Sequence, residues 1–212
     1  MLNLRDEIMA RKGLTREKII TTARKFIEEK GYKHFSLRAL AAKLNIKAAS
    51  LYNHIQNAEE ISIEIGVEAI EELVAVQEAA LEGKPRQEAI WSLATAYLDF
   101  ALQRPEVYKI IMLLPAMDSD IIARLRPKIV EPAIRAVSLY QLNEEQKMHW
   151  QRVLRGTMHG FASEEDAGYF SHFAVDVNES YRLAIMNIIA ALETLERENL
   201  SRLALLQMHI KK

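Results

Sequence analysis

Apolar residues in this chain recur every three or four positions, and nowhere do they alternate with polar ones at the period of a strand. A half-buried strand needs a period of two, whereas a helix gathers residues i, i+3, i+4 and i+7 onto one stripe. The pattern predicts an all-α protein. Composition agrees, since 7 Gly and 5 Pro in 212 residues leave few breakers, and the abundant Ala, Leu and Glu favour helices. The lack of cysteine excludes disulfides, thiolate zinc sites and a thiol nucleophile.

Local signals divide the chain. Thr15 is the expected N-cap of a first helix, with Glu17 in its first turn and Ile19, Ala23, Phe26 and Ile27 on its apolar stripe. Gly31 is expected to end it in a left-handed conformation. Ser36 opens a helix of about two turns carrying Leu37, Leu40, Ala41 and Leu44. Asn45 interrupts it, and Ile46 leads into a short helical stretch, Lys47 to His54. A long helix over 59–81 ends at Gly83-Lys84-Pro85. Further helices are expected over 86–103, over 106–114 with Pro115 as the stop, and over 119–125 and 127–139, the last bent at Pro132. Asn143 with Gln146 forms a capping-box pattern opening a helix to near Phe161. A polar loop is expected over 162–175, and Asp176 with Glu179 resembles a second capping box before a final helix to near Arg197. There is no internal repeat.

Charge is uneven. Residues 1–56 carry 12 Lys/Arg against 5 Asp/Glu, and the remainder carries 16 against 24. Such asymmetry suggests a basic nucleic-acid-binding head on an acidic body. Met1–Lys12 is charged and lacks the apolar core of a signal peptide, while the longest uncharged apolar run, Ile110–Met117, is far too short to span a bilayer. The expectation is a cytoplasmic protein without a membrane partner.

The segment Ser36 to His54, SLRALAAKLNIKAASLYNH, holds two short helical stretches around a tight turn. Asn45 stands where the chain needs a positive φ, which Asn tolerates better than most residues. With Leu51 facing inward, Lys47, Ala48, Ser50, Tyr52, Asn53 and His54 are left to point outward. A slim, polar helix of this kind suits a major groove. The same residues equally fit a helical hairpin whose polar side chains simply meet water.

A resemblance separates these two readings. The succession AxxFIEEKGY, SLRALAAKLNI and ASLYNHI, then Glu59-Glu60 opening a long helix, resembles the DNA-binding domain of the TetR family over about Thr15 to Ile61. Asn45 stands where the family usually has Gly, Ile55 where it has Phe, and Ala58 near a usual Lys. The resemblance implies an N-terminal three-helix helix-turn-helix domain, residues 1–57, followed by a larger helical ligand-binding and dimerisation domain, residues 58–212. It implies double-stranded operator DNA as partner. Ala48, Ala49, Ser50 and Asn53 would approach base edges, and Tyr52 and His54 would contact phosphate. Ser36 and Arg38 suit phosphate oxygens, and Lys47 suits either the backbone or a guanine.

The body also resembles the family's WHG-type regulatory domain, through Trp150, His159-Gly160 and a loop containing Gly168. That implies a homodimer through about 143–161 and 177–197, with Tyr181, Ala184, Ile185, Ile188, Ile189 and Leu192 as the apolar face of the last helix. It also implies a small hydrophobic ligand, for which Trp91, Tyr97, Phe100, Tyr108, Met112 and His159 are the candidates. Individually these aromatics also fit an ordinary core. No cofactor is expected, and no metal site, because no close ligand pair such as His-x-x-x-His exists. No Gly-rich phosphate loop or nucleophile elbow points to an enzyme. The expected function is a repressor released from its operator by a ligand, through movement of the 59–81 helix. The competing reading is a TetR-like adaptor acting through a protein partner.

Overall fold

The computed structural model describes residues 13–172 and 174–210; the charged stretch Met1–Lys12 lies outside them. The described backbone is helical, with no strand: α1 (Arg16–Lys30), α2 (Leu37–Lys43), α3 (Ala58–Leu81), α4 (Arg86–Gln103), α5 (Pro105–Met117), α6 (Ser119–Val137), α7 (Glu144–Asp166) and α8 (Val177–Ile210). Short 3₁₀ segments occupy Tyr32–His34, Ala48–Asn53 and Tyr169–His172. The fold is all-α, as the periodicity predicts. Among the described residues no helix is long and apolar enough to cross a membrane.

Contacts divide the chain into two compact units. One runs to Glu72 and adds Arg104–Arg124; the other comprises Leu73–Gln103 and the chain from Leu125 onward. The first unit is therefore larger than the 1–57 head expected from sequence. Its core explains why. Ile19, Ile20, Ala23 and Ile27 of α1, Leu40 and Ala41 of α2, Leu51 and Ile55 are joined by Ile61 and Ile65 of α3 and Ile110 of α5, all at most 3% exposed. Each large aliphatic side chain so buried contributes about 1.5–3 kcal/mol. The first turns of α3 and Ile110 of α5 thus complete a core that the head's own helices leave open.

Two further features bind this unit. A Cβ added at Gly66 of α3 would sit 2.8 Å from Leu114 of α5, so the two helices meet at glycine distance. Polar ties accompany that contact. Glu106 Oε2 accepts from the Tyr32 N–H at 2.7 Å. The Arg24 guanidinium donates to both oxygens of Glu72 at 2.5 and 2.7 Å, and Arg104 also donates to Glu72. Arg16 pairs with Glu60 at 2.7 Å and Glu64 at 2.6 Å, and donates to the His54 carbonyl at 2.8 Å.

These carboxylates predict an acid limit for the first unit. Hydrogen bonds from Arg24 hold Glu72 below its ordinary value of 4.5, the Lys109 ammonium lowers Glu106, and the Gln56 N–H lowers Glu60. A carboxylate whose folded pKa is depressed contributes stability above its unfolded pKa and loses it as pH falls through the folded one. Glu68 runs the other way, raised by burial, and relieves part of the loss. Amide-exchange protection in α1 and α2 is expected to be flat from pH 7 to about 5 and to fall below about 4.5, with a shallower fall in Glu72→Gln. An identical acid profile in the variant contradicts this.

In the second unit α4, α7 and α8 pack together. Ile90, Leu93 and Ala94 of α4, Leu154, Met158 and Ala162 of α7, and Ile185 and Leu192 of α8 are at most 1% exposed. The Tyr181 hydroxyl donates to the Ala94 carbonyl at 2.7 Å. This packing corrects one expectation. Tyr181, Ile185, Ile188, Ile189 and Leu192, read as a subunit-facing stripe, are at most 6% exposed within the chain itself and form its core. Helical periodicity identifies a buried stripe, but not which neighbour buries it.

The caps follow the sequence closely. Thr15 accepts from the Lys18 N–H, Ser36 from the Ala39 N–H, and Asn143 with Gln146 forms a reciprocal capping box. Gly31 has the expected positive φ, 89°, but with ψ 145° rather than the left-handed helical value. Asp176 accepts from the Asn178 N–H, while Glu179 pairs with Arg182 instead of closing a second box. Pro115 does not stop α5, which runs on to Met117. Near a helix end a proline removes one hydrogen bond, and the next residues still pair, as the Asp118 N–H does with the Leu114 carbonyl at 2.8 Å. The expected break between 125 and 127 is absent: α6 is continuous through Pro127 and Pro132. The 162–175 loop is shorter than expected, because buried Ala162 carries α7 on to Asp166.

Candidate nucleic-acid interface

The two stretches singled out from sequence form a tight helix-turn-segment unit. α2 closes at Leu44, whose N–H donates to the Leu40 carbonyl at 2.9 Å. Asn45 follows with φ 57°, the sole positive φ among described non-glycine residues. This turns the chain so that the Ile46 N–H returns to the Ala41 carbonyl at 3.0 Å. Lys47 is extended, with ψ 139°, and Ala48–Asn53 then winds as a 3₁₀ helix. The Ser50 N–H donates to the Lys47 carbonyl at 2.9 Å, and the His54 N–H to the Leu51 carbonyl at 2.8 Å.

A tighter helix changes which residues face out. Leu51 is 0% exposed and pins the segment to the core of α1 and α2. Ser50, expected at the outer face, is only 3% exposed. With three residues per turn, positions 50 and 51 both lie over the core and the segment's outward stripe is narrower than an α-helix would give. Lys47, Ala48, Ala49, Tyr52 and Asn53 remain exposed, Tyr52 at 60%. His54 is half-buried, its carbonyl taken by Arg16.

Ser36 and Arg38 of the supporting helix are exposed. The Ser36 oxygen accepts from the Ala39 N–H at 3.2 Å, which leaves its own hydroxyl proton to donate. Sequence reading passed over Lys33 and His34, exposed in the 3₁₀ turn that delivers the chain to Ser36. Their nearness to Ser36 in sequence was the available signal. Asn57, whose side chain accepts from the Glu60 N–H at 2.8 Å and starts α3, was also missed.

Electrostatics sort the basic residues. Arg16 and Arg24 are tied to carboxylates of α3, and Lys43 pairs with Glu29 at 2.8 Å. Arg38 has no carboxylate partner among the described residues. The row from Lys47 to Asn53 contains no acidic residue. Cations tied to acidic partners cannot attract an anion strongly, so the effective positive face is the one holding exposed Lys33 and Arg38.

The ligand candidates are less united. Trp91, Tyr97, Phe100 and His159 belong to the second unit, whereas Tyr108 and Met112 belong to the first. Tyr97, Phe100 and Tyr108 are at most 9% exposed, while Trp91 and Met112 are exposed at 36% and 39% and His159 is exposed as well. Trp91 lines a groove of about 290 Å³ between α4 and α8 with Gln87, Glu88, Arg182, Met186 and Ile189. Among the described residues no group of three His, Asp or Glu side chains is placed to hold a metal.

Comparison with known proteins places this arrangement. Residues 19–65 match the family of "Bacterial regulatory proteins, tetR family", and residues 90–188 match "Tetracyclin repressor-like, C-terminal domain". The chain is 31% identical over 154 residues to the uncharacterized HTH-type transcriptional regulator YobS of Bacillus subtilis, covering 70% of this chain and 78% of that one. It is 26% identical over 182 residues to an uncharacterized HTH-type transcriptional regulator of Mycobacterium tuberculosis, covering 85% of this chain and 82% of that one. Among solved structures, a TetR variant from Acinetobacter baumannii in complex with minocycline superposes with TM-score 0.64 at 18% identity, over 86% of this chain and 98% of that one. A protein of unknown function from Rhodococcus superposes with TM-score 0.71 at 21% identity, over 84% and 95%. At such identity the superpositions show a shared fold. With both parts of the family architecture matched and YobS aligned over most of its length, the chain belongs to the TetR family and is a DNA-binding transcriptional regulator of the helix-turn-helix type.

Proposed function

We propose that the protein is a cytoplasmic repressor that binds a palindromic operator as a dimer and is released by a small ligand held in its second unit. The observation that carries the DNA-reading part is the exposed, acid-free row of Lys47, Ala48, Ala49, Tyr52 and Asn53 beside Arg38. Ala48 and Ala49 are slim enough to let the segment reach the groove floor, where Asn53 can read a base edge. Tyr52, His54, Ser36 and Arg38 hold phosphates, and Lys47 holds phosphate or a guanine. Ser50, being buried, has no part in reading.

One such segment spans few base pairs, so a two-fold protein is needed to read a long site. Support for self-association comes from an outward face distinct from the one expected by periodicity. Val153 and Leu183 are 47% and 50% exposed, Met186 is 43% exposed, and nothing lies within 4 Å of a Cβ added at Gly156 or Gly160. Small and apolar residues together allow close approach of α7 and α8 to a second copy.

Fluorescence anisotropy on a generic duplex across a salt series tests the interface. Binding through phosphates predicts a linear fall of log K with log salt, with a slope near −0.9 for each phosphate neutralised. Arg38→Ala removes one contact from each protomer and is expected to make that slope shallower by about two per dimer bound. A salt-independent affinity, or no binding, favours an adaptor acting through a protein partner. Ligand release further requires reciprocity: an inducer must bind free dimer more tightly than operator-bound dimer, by the factor with which it weakens DNA binding. Equal affinity for both forms contradicts ligand release.

A further inference from the structure

One buried hydroxyl of the second unit has no partner. Tyr140, in the turn after α6, is 1% exposed, and its hydroxyl forms no hydrogen bond among the described residues. A phenol so placed gives up its hydrogen bonds to water with nothing in return. The Arg86 guanidinium lies over the face of the ring, 4.7 Å from its centroid, but leaves the hydroxyl unbonded. Burial pushes the hydroxyl's pKa up to about 12, and the charges acting on it are those of Glu193, Arg86 and Glu196. Those same three side chains line a groove of about 520 Å³ between the first turn of α4 and α8. The orphaned hydroxyl therefore lies under the wall of that groove.

The groove also holds a carboxylate without a counter-ion. Glu196 is satisfied, since one oxygen pairs with Arg86 and the other accepts from the Gln141 N–H at 2.8 Å. Glu193 accepts only from the neutral amide of Gln87 and has no cation partner among the described residues. Arg197, four residues on, donates instead to the Thr194 hydroxyl at 3.1 Å. Glu88 is the third carboxylate of the lining, and the Lys84 ammonium comes no closer to it than 4.0 Å. The first turn of α4 would by itself favour an anion, but Glu88 within that turn and Glu193 across from it leave the lining acidic. Gln87 and Glu88 also border the apolar groove of Trp91 and Ile189, so the two hollows adjoin. Glu196 and Ile189 are seven residues apart on α8, roughly 10 Å along its axis.

We infer that the groove between α4 and α8 binds a primary amine with an apolar body, its ammonium held by Glu193 and the Tyr140 hydroxyl and its body lying on Trp91 and Ile189. This rests on the reading that the second unit holds a small ligand; it gives that ligand a place and a positive head. A primary ammonium has three donors, one for the carboxylate, one for the phenol oxygen and one for water. The Arg86 side chain is half-exposed and can shift along the ring to admit it. A charge-assisted pair with Glu193 outweighs what a neutral alcohol could make there.

The test is calorimetric titration of the full-length chain, without DNA, with matched probes: 2-phenylethylamine against 2-phenylethanol, and hexylamine against hexanol. At least one amine is expected to bind once per protomer, at least about tenfold more tightly than its alcohol. Glu193→Gln, which keeps a partner for Gln87, is expected to remove that preference. Tyr140→Phe is expected to weaken the amine about three- to tenfold, with an unliganded melting temperature at or above wild type, because the group removed has no partner. Trimethyl(2-phenylethyl)ammonium, which has no N–H to donate, is expected to bind more weakly than 2-phenylethylamine. Absence of saturable amine binding, equal affinity for amine and alcohol, or a preference that survives Glu193→Gln overturns the assignment. So does tighter binding of 3-phenylpropionate than of the amine, which would make the groove an anion site. A lower melting temperature in Tyr140→Phe with unchanged amine affinity overturns it too, since the hydroxyl would then be satisfied within the fold. An amine that binds here but leaves operator affinity unchanged would contradict ligand release and leave this site standing.

Discussion

Leu51→Ala is expected to unfold much of the first unit, whereas Tyr52→Ala, one residue further on, is expected to leave it folded and lose DNA. Leu51 is 0% exposed and belongs to the core built by α1, α2 and the start of α3. Truncating a fully buried leucine removes its transfer energy and leaves a cavity, typically at a cost of 2–5 kcal/mol. Tyr52 is 60% exposed and none of that core depends on it. Losing a phosphate hydrogen bond costs about 1–2 kcal/mol per site, or roughly 5- to 30-fold in affinity, and a dimer loses it twice. Amide exchange over residues 16–65 and anisotropy on a duplex separate the two effects. Exchange unchanged in Leu51→Ala would remove the segment from the core, and wild-type affinity in Tyr52→Ala would remove Tyr52 from the interface.

The second large effect concerns the contact of α3 with α5. Gly66→Ala is expected to destabilise the first unit by about 1–3 kcal/mol, since the new methyl would sit 2.8 Å from the side chain of Leu114, which is 0% exposed. Leu114→Ala alone leaves a cavity, at about 2–5 kcal/mol. Each change compensates the defect of the other, so the double variant should be more stable than the sum of the single losses predicts, by about 1 kcal/mol or more. Additive losses would mean that the helices do not meet at this glycine. Because α5 also carries Glu106, which holds the Tyr32 N–H, the same contact offers a route by which displacement of α5 reaches the DNA-reading head. Gly66→Ala should then weaken operator binding in step with its effect on exchange around Tyr32.

What the sequence disclosed about this protein is local. The N-caps at Thr15, Ser36 and Asn143 depend on a side chain and an amide three residues on, and the positive φ of Asn45 depends on one residue's tolerance. Such features are written within a turn and are legible without a fold. The winding of Ala48–Asn53 as 3₁₀ is different. It is set by the need to seat Leu51 against α1 and α2, and it carries Ser50 inward with it. The recruitment of α5 into the first unit rests on Ile110, separated from Ile19 by most of a hundred residues, and no local spacing signals it. The same holds for Tyr181 to Leu192: their period marks a buried stripe, while only the packing of α4 and α7 shows that this chain buries it itself. From sequence Pro115 is expected to stop a helix, Pro127 to open a new one and Pro132 to bend it, yet α5 runs on past Pro115 and α6 is continuous through Pro127 and Pro132.

Selection of bound sequences from a random duplex pool by the full-length protein, at near-physiological salt, tests operator reading by this chain most directly. A palindrome with half-sites about one helical turn apart is the predicted recovery, and Tyr52→Ala should recover it poorly or not at all. Recovery of no preferred sequence, or of an asymmetric site bound by single chains, would contradict a dimeric operator-binding repressor.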